Sequence, residues 1–571
     1  MKNLKIVAAQ IDALVMDIPK NIGAARAVLL ANKDADLVVL PECALTGYPL
    51  GDLPLRNTFA QKVTEGILAM SNVVQNINGP ALLIGAPMIG PGLPYNAAFL
   101  IEPDGRIQST CKVELPNMDV FDERRTFSAA NIDDIRPLDF MGRKLGVMIC
   151  EDMWHGRVAR RLADEGAEIL IVLNGSPYER EKFGLRTVLA RRRVQETVLP
   201  LIYVNLVGAQ DETIFDGGSF AIDPEPLGPK QIASAAAFDQ DALGFNWGPG
   251  GLELLFGEKC GYFKKTTNWA EFDYEACTLG LKAYVHKNGF QKVLLGVSGG
   301  LDSAVVLAMA ADALGPENVI GVMMPSQHTS QLSRDLADQA MRANGVTPME
   351  ADITSLVATY DKVIAPFTEK LDTKGGSLSL MNENLQSRAR GVLLMALSNA
   401  TGALVLSTGN KSEVAMGYCT LYGDTNGGYN PLKSMYKTTV MAAARARNEH
   451  GEVIPNAIIN RPPSAELAGD QTDEASLGDY EVLDRVLEMI IEQRMSGKQV
   501  ADRLMRETLD GGGKVIVPDR FEGSILAYCL WVARSVRIAR HKQDQAPIGA
   551  KTNQTDFGLG WRTPISGSYD L

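Results

Sequence analysis

Histidine is scarce in this chain: five residues, at positions 155, 286, 328, 450 and 541, with no pair at the spacing of a helical metal motif. Histidine-based metal chemistry is disfavoured accordingly. Cysteine is also sparse, with seven residues, an odd number, no two closer than 17 positions and no C-x-x-C pair. That usage points to a reduced compartment without a structural zinc site. Long hydrophobic runs are missing as well. No stretch reaches the roughly 18 apolar residues of a membrane span, and the amino-terminal MKNLKIVAAQIDALVMD meets Asp12 and Asp17 before an apolar segment develops. The sequence reads as cytoplasmic, with no membrane partner. Nor is there a basic excess: 56 Lys+Arg against 68 Asp+Glu give a formal charge of −12, which disfavours nucleic acid and leaves small molecules as the expected partners.

What is present is ordinary globular composition. The 571 residues are 46% hydrophobic and 22% charged, which excludes a disordered or fibrous chain and, at about 150 residues per domain, allows two to four folding units. Over the first 220 residues short apolar runs recur: KIVAAQ (5–10), DLVVLPE (36–42), ALLIGAP (81–87), KLGVMICED (144–152), EILIVLNGS (168–176) and PLIYVNLVG (200–208). Near-continuous Val/Ile/Leu runs suit strands covered on both faces, so a layered α/β domain is expected. Between Asp223 and Trp269 the pattern dissolves into PEPLGPK, WGPGG and similar punctuation, the composition of an interdomain connection. The boundary is placed near 260 to 270, giving domains of 1–260 and 261–571. A second α/β series starts at KVLLGVSGGLDSAVVLAMAADALG and continues with VIGVMMP (319–325) and ALVLSTGN (403–410), with helices expected near 330–344 and 383–400. GDTNGGYNP (423–431) reads as a loop, and 480–541 as amphipathic helix broken at GGGK (511–514).

Two segments carry chemistry. SGGLDS, Ser298 to Ser303, lies between an expected strand and an expected helix, where backbone N–H groups and the helix dipole attract phosphate. Gly299 and Gly300 permit close approach of the main chain, and Ser298 and Ser303 add hydroxyls. The loop lacks the Lys-Ser/Thr pair of a Walker motif and holds Asp302 instead. A carboxylate repels phosphate, and a Mg²⁺ ion bridging the two resolves the conflict. The plain alternative is a strand-to-helix turn capped by Asp302.

SGGLDS resembles the signature of the N-type ATP pyrophosphatases, which cleave ATP between its α and β phosphates. STGNKSEVAMGYCTLYGD (407–424), RPPSAEL (461–467) with QTDE (471–474), and RIARHKQDQAP (537–547) resemble, in order, the further motifs of the NAD synthetases in that family. The resemblance covers most of residues 290–550 and implies a doubly wound α/β domain of the adenine nucleotide α-hydrolase-like type. It implies that Ser298, Gly299, Gly300, Leu301, Asp302, Ser303 and Thr408 hold ATP, with Lys437 and Ser464 on the far side of the pyrophosphate. Asp302 and Glu413 would bind magnesium, and Asn384, Arg388, Glu413, Tyr422, Asp424 and Lys542 would contact deamido-NAD. Ser464 stands where shorter family members often have Thr. Taken singly, Lys437 and Glu413 read as solvated helix charges.

The second segment is Cys150, which follows the apolar run KLGVMI and precedes EDMWHG, at a strand end where reacting groups are frequent. No histidine occurs before His155, so a carboxylate base and a cationic neighbour are the better activators of a thiol. Glu42 in LVVLPECALTGYP and Lys112 in STCKVELPNMDVFDERRTF hold comparable positions. By themselves, Cys150 could be a small buried apolar side chain, Glu42 a helix cap and Lys112 a surface charge. The same reading as small buried side chains holds for Cys43, Cys111, Cys260, Cys277, Cys419 and Cys529.

Those three segments resemble the nitrilase and amidase superfamily over about residues 3–220, and KVELPN…FDERR is similar to the glutaminase domain of glutamine-dependent NAD synthetases. The implied fold is an αββα sandwich. The implied roles are Glu42 as general base, Lys112 as stabiliser of the oxyanion and Cys150 as nucleophile. Phe121, Glu151 and Ser176 would contact glutamine, and Met118 replaces an aromatic residue found in some members.

Together the resemblances imply a ligase that amidates deamido-NAD to NAD with ATP, through an acyl adenylate, using ammonia from glutamine. They also imply an internal ammonia tunnel and a homo-oligomer, a dimer or larger, built on paired synthetase domains. Another amidotransferase of the same class and a tRNA-modifying ATP pyrophosphatase are the alternatives, the latter opposed by the acidic balance. A stand-alone amidohydrolase with an inert second domain is a third, opposed by Asp302, Glu413 and Lys437.

Overall fold

Apolar runs with no polar alternation need cover on both faces, and each run of the first 220 residues finds it. In the computed structural model, which describes residues 3–263, 268–371, 376–461, 477–509, 515–567, 569 and 571, the chain divides into two units, Met1–Thr267 and Asn268–Leu571. The first contains a seven-stranded sheet in the order Gly251–Phe256, Asp241–Gly248, Leu4–Gln10, Leu37–Val39, Ala81–Met88, Tyr95–Ile101, Ile107–Cys111. A six-stranded sheet runs Gly228–Ser234, Phe220–Glu225, Leu201–Asn205, Ile169–Asn174, Arg143–Ile149, Leu138–Phe140.

Alternate residues of one strand enter different cores. Ile6 and Ala8 join Val39 and Leu83 in a cluster with Val147, Ile149, Ile171 and Leu173 of the other sheet. Val7 and Ala9 turn the other way, into a cluster with Leu29 of the helix Ile18–Ala31 and Met70 and Val74 of the helix Phe59–Ile77. The helices Gly156–Asp164 and Lys182–Thr197 pack on strands of the second sheet. The result is the αββα sandwich that the resemblance implied.

Most of the segment read as an interdomain connection, over 223–256, is strand. Phe220–Glu225 and Gly228–Ser234 form one hairpin, Asp241–Gly248 and Gly251–Phe256 another, and Asp241–Gly248 pairs antiparallel with Leu4–Gln10, Leu4 opposite Trp247. The Pro and Gly residues that suggested a linker include the turn residues of these hairpins, and Trp247 is buried under the Arg143 guanidinium, 3.4 Å from its ring centroid. The division also falls later than 260/261. Tyr262 stacks on Phe183 at 3.9 Å and its hydroxyl donates to Asp216 Oδ2 at 2.7 Å, which ties Gly261–Phe263 to the first unit.

The second unit holds a parallel sheet in the order Met349–Glu350, Val319–Met323, Val293–Gly296, Leu404–Val405. Numbered along the chain this is 3-2-1-4, so the order reverses beside Val293–Gly296, and the crevice at the carboxyl ends of its first and fourth strands is where open α/β sheets bind ligands. SGGLDS leaves the first of those strands and STGNKSE the fourth. Leu294, Val322 and Val405 pack against Ala389 and Leu394 of the helix Leu378–Thr401, while Leu301–Leu314 packs against Trp269–Lys287, Gln331–Ala343 and Lys437–Asn448. A carboxyl-terminal cluster joins Tyr480–Ile491, Gly497–Leu509 and Ile525–Ile538. GGGK, and Ser464 with QTDE, lie outside the described residues. Among the described residues no helix is long and apolar enough to cross a membrane.

Candidate active sites

In the first unit Glu42 follows Leu37–Val39, Lys112 follows Ile107–Cys111 and Cys150 follows Arg143–Ile149, so three strand ends present the three side chains. Cys150 opens the turn Cys150–Met153 with φ at +47°, a left-handed conformation rare outside glycine and frequent at functional sites. Lys112 is fully buried, and its Nζ donates to Glu42 Oε1 at 2.8 Å and Glu123 Oε1 at 3.0 Å. Glu42 also accepts from Asn96 Nδ2 at 2.7 Å and from the Gly175 N–H at 2.7 Å, and Glu123 accepts from the Tyr48 hydroxyl at 2.8 Å.

Electrostatics follow from burial. Desolvation alone would lower the Lys112 pKa, but Glu123 and Glu42 outweigh it and hold the ammonium charged well above its ordinary range. Burial pushes the Cys150 thiol up, Glu42 adds to this, and Lys112 opposes it. The thiol is therefore protonated at neutral pH. Burial also raises Glu123.

In the second unit the residues of SGGLDS close on themselves. Gly300 N–H donates to Ser298 Oγ at 3.2 Å, Ser303 Oγ donates to the Gly300 carbonyl at 3.0 Å, and the two hydroxyl oxygens lie 3.1 Å apart. Gly299, with φ at +79°, runs so near the helix Gln331–Ala343 that a Cβ would stand 2.3 Å from the Ser333 carbonyl oxygen. Lys437 Nζ donates to Asp302 and lies 4.0 Å from Glu413 Oε1, and Asn410 Nδ2 reaches Asp302 Oδ1 at 3.4 Å. Two carboxylates thus approach one ammonium beside the phosphate loop. The donor set is all oxygen, so it fits a hard cation that completes its shell with substrate oxygens. The cavity above this cluster has a volume of about 460 Å³.

A family model for carbon-nitrogen hydrolases matches residues 4–226, and one for NAD synthases matches 273–510. The glutamine-dependent NAD(+) synthetase of Rhodobacter capsulatus is 43% identical over 89% of this chain and 90% of that protein. Its counterpart from Xanthomonas campestris is 40% identical over 99% and 98%. The chain belongs to the glutamine-dependent NAD(+) synthetase family. The solved glutamine-dependent NAD+ synthetase of Acinetobacter baumannii, in complex with adenosine diphosphate, matches with a TM-score of 0.74 at 32% identity, covering 99% of this chain and 98% of that one. The enzyme from Cytophaga hutchinsonii shares the fold, with a TM-score of 0.79 at 20% identity over 99% and 98%.

Within this glutamine-dependent NAD(+) synthetase fold, the residues singled out from sequence fall into three groups. Phe121 stacks on Tyr48 at 6.0 Å, Ser176 follows the Gly175 that donates to Glu42, and Glu151, next to Cys150, lies 3.5 Å from His155 Nε2, so all three adjoin the Lys112 cluster. Ser298, Gly299, Gly300, Leu301, Asp302, Ser303, Asn384, Thr408, Glu413, Asp424, Lys437 and Lys542 all line the second cavity. Arg388 and Tyr422 do not. The Arg388 Nε donates to the Leu421 carbonyl at 3.2 Å, and Tyr422 is exposed with its hydroxyl 3.1 Å from Gln545 Oε1. Ser464 is outside the described residues.

Sequence reasoning missed Glu123 and Tyr48, although FDERR and LVVLPECALTGYP contain them, and Asn96, which lies in neither segment. It also missed Arg390 and Arg461 at the second cavity, where they donate to the Met324 carbonyl at 2.9 Å and Ser333 Oγ at 2.8 Å. Lys411, read only as part of STGNKSE, is fully buried and donates to Glu492 at 2.5 Å and the Thr555 carbonyl at 2.7 Å, which anchors the segment carrying Glu413.

Proposed function

We propose that the first site hydrolyses glutamine and that the second uses the ammonia to convert deamido-NAD to NAD at the expense of ATP. The observation that supports this most is a pair of separate charge clusters, one in each unit: Lys112 between Glu42 and Glu123 beside Cys150, and Lys437 between Asp302 and Glu413 beside the phosphate loop.

At the first site Glu42 takes the thiol proton as Cys150 attacks the side-chain carbonyl carbon of glutamine. The Lys112 ammonium, held in place by Glu123, faces the negative charge that develops on oxygen. Collapse of the tetrahedral adduct breaks the C–N bond, the proton passes from Glu42 to the departing nitrogen, and ammonia leaves a thioester. Water, deprotonated by Glu42, cleaves the thioester to glutamate. Phe121, Glu151 and Ser176 bound the glutamine pocket.

At the second site the carboxylate of deamido-NAD attacks the α phosphorus of ATP and pyrophosphate departs, giving an acyl adenylate. Ammonia adds to its carbonyl carbon and AMP leaves. Ser298, Gly299, Gly300, Leu301, Ser303 and Thr408 cradle the phosphates, and Lys437 faces the departing pyrophosphate; Ser464, outside the described residues, is assigned to the same end by the resemblance alone. Asn384, Asp424 and Lys542 line the deamido-NAD end, with Arg388 and Tyr422 at its margin. Asp302 and Glu413 would hold Mg²⁺, which when bound neutralises charge on the triphosphate.

Transfer of ammonia without release to solvent, and a homo-oligomer in which exposed Val392, Met395 and Tyr422 are covered, complete the proposal. A monomer by sedimentation would refute the oligomer. The decisive test of the chemistry is ATP–pyrophosphate exchange without any nitrogen donor. Exchange driven by deamido-NAD is expected, and exchange driven only by another carboxylic acid would establish a different amidotransferase.

A further inference from the structure

Lys112 and Cys150 act on the same substrate atom group from different sheets, so their spacing has to be fixed by something other than the ladder of either sheet. Asp152, two residues beyond the nucleophile and 2% exposed, supplies the connection. Its Oδ1 accepts the N–H groups of Val113 at 3.0 Å and Glu114 at 2.8 Å, the two residues that follow Lys112. Its Oδ2 accepts the N–H of Ile149 at 3.1 Å, the residue that precedes Cys150. One carboxylate therefore grips the main chain on both sides of the site.

We infer that Asp152 is a positioning residue: by tying the Lys112 turn to the Cys150 turn it sets the distance between the oxyanion-stabilising ammonium and the attacking sulfur. The inference rests on the reading of the first site as a glutaminase. Three N–H donors converging on two oxygens can be satisfied only by a group that accepts at both ends. Asparagine has the same shape but accepts at one end alone. With its oxygen toward Val113 and Glu114, its amino group meets the Ile149 N–H, donor against donor; turned round, it opposes the other two. Asp152→Asn thus releases one turn or the other while leaving the side-chain volume in place. Misplacement by about 1 Å costs on the order of 100-fold in rate.

The test measures steady-state kinetics of the full-length enzyme at about pH 8, where the Asp152 carboxyl is ionised, with glutamine and, separately, with ammonium. For D152N, kcat with glutamine is expected to fall on the order of 100-fold, while KM for glutamine and the ammonium-driven rate stay close to those of the parent. Asp152→Glu, which restores the anion at the wrong length, is expected between the two, and it carries the same test should D152N yield no folded protein. Parent-like kcat in both variants would overturn the inference. So would a rise in KM alone, or an equal loss with both nitrogen donors. A parent that releases no glutamate from glutamine would instead refute the glutaminase reading itself.

Discussion

Replacing Lys112 with Met leaves Glu42 and Glu123 buried without the ammonium between them. Glu42 is 0% and Glu123 3% exposed, so neither gains water in exchange. What remains is neutral: Asn96 Nδ2 at 2.7 Å from Glu42 and 3.2 Å from Glu123, the Gly175 N–H on Glu42 and the Tyr48 hydroxyl on Glu123. Removing one partner of a buried ion pair costs about 3–5 kcal/mol. At about 2–4 °C per kcal/mol for a unit of this size, K112M is expected to lower the melting midpoint of the first unit by roughly 10 °C. Adding Glu123→Gln removes one of the two orphaned charges, and its amide can still accept from Tyr48. The double variant K112M/E123Q is expected to recover a large part of the lost stability but no glutamine-driven turnover, because no cation then faces the oxyanion. Calorimetry alongside glutamate release separates the two effects. Equal midpoints for the single and double variants would refute the account of Lys112 as the counter-charge, and restored turnover would refute its catalytic role.

Asp302→Ala is expected to abolish NAD formation with glutamine and with ammonium alike, and normal ammonium-driven turnover would refute the metal-binding role of Asp302. With unlabelled glutamine and excess isotopically labelled ammonium, the amide of NAD is expected to carry little label; extensive labelling would refute sealed transfer. Burial pushes the Asp152 carboxyl up to about 7 against the opposing Glu114 and Ile149 amides. An acid whose folded pKa exceeds its ordinary 3.8 stabilises the fold most below that value and loses the contribution as pH rises through about 7. From pH 5 to 8 the parent should lose stability relative to D152N, which does not titrate there, and parallel stability profiles would contradict this.

The sandwich was legible because its central strands are covered on both faces: LKIVAAQ shows no alternation when Ile6 and Val7 enter different cores. The hairpins over 220–256 were not, since Gly and Pro punctuate them at the turns, and the pairing of Asp241–Gly248 with Leu4–Gln10 spans more than two hundred residues of sequence. The same division holds at the sites. SGGLDS announces itself because strand, glycine turn and helix are contiguous. Glu123 became visible only in three dimensions, since a carboxylate in FDERR is a solvated charge until Lys112 and Tyr48 close around it. Arg390, in the middle of the helix Leu378–Thr401, looks like any exposed helical arginine until its Nε meets the Met324 carbonyl at the cavity wall. Tyr422 lies in the same motif as Asp424, which lines the cavity, yet its exposed side chain turns to Gln545, and Arg388, outside that motif, turns to the Leu421 carbonyl.

The central claim is that two chemically separate sites on one chain are joined only by ammonia. Cys150→Ala, assayed for NAD formation first with glutamine and then with ammonium, addresses it most directly. The account predicts loss of the glutamine-driven rate with the ammonium-driven rate retained. Loss of both, or retention of both, would contradict it.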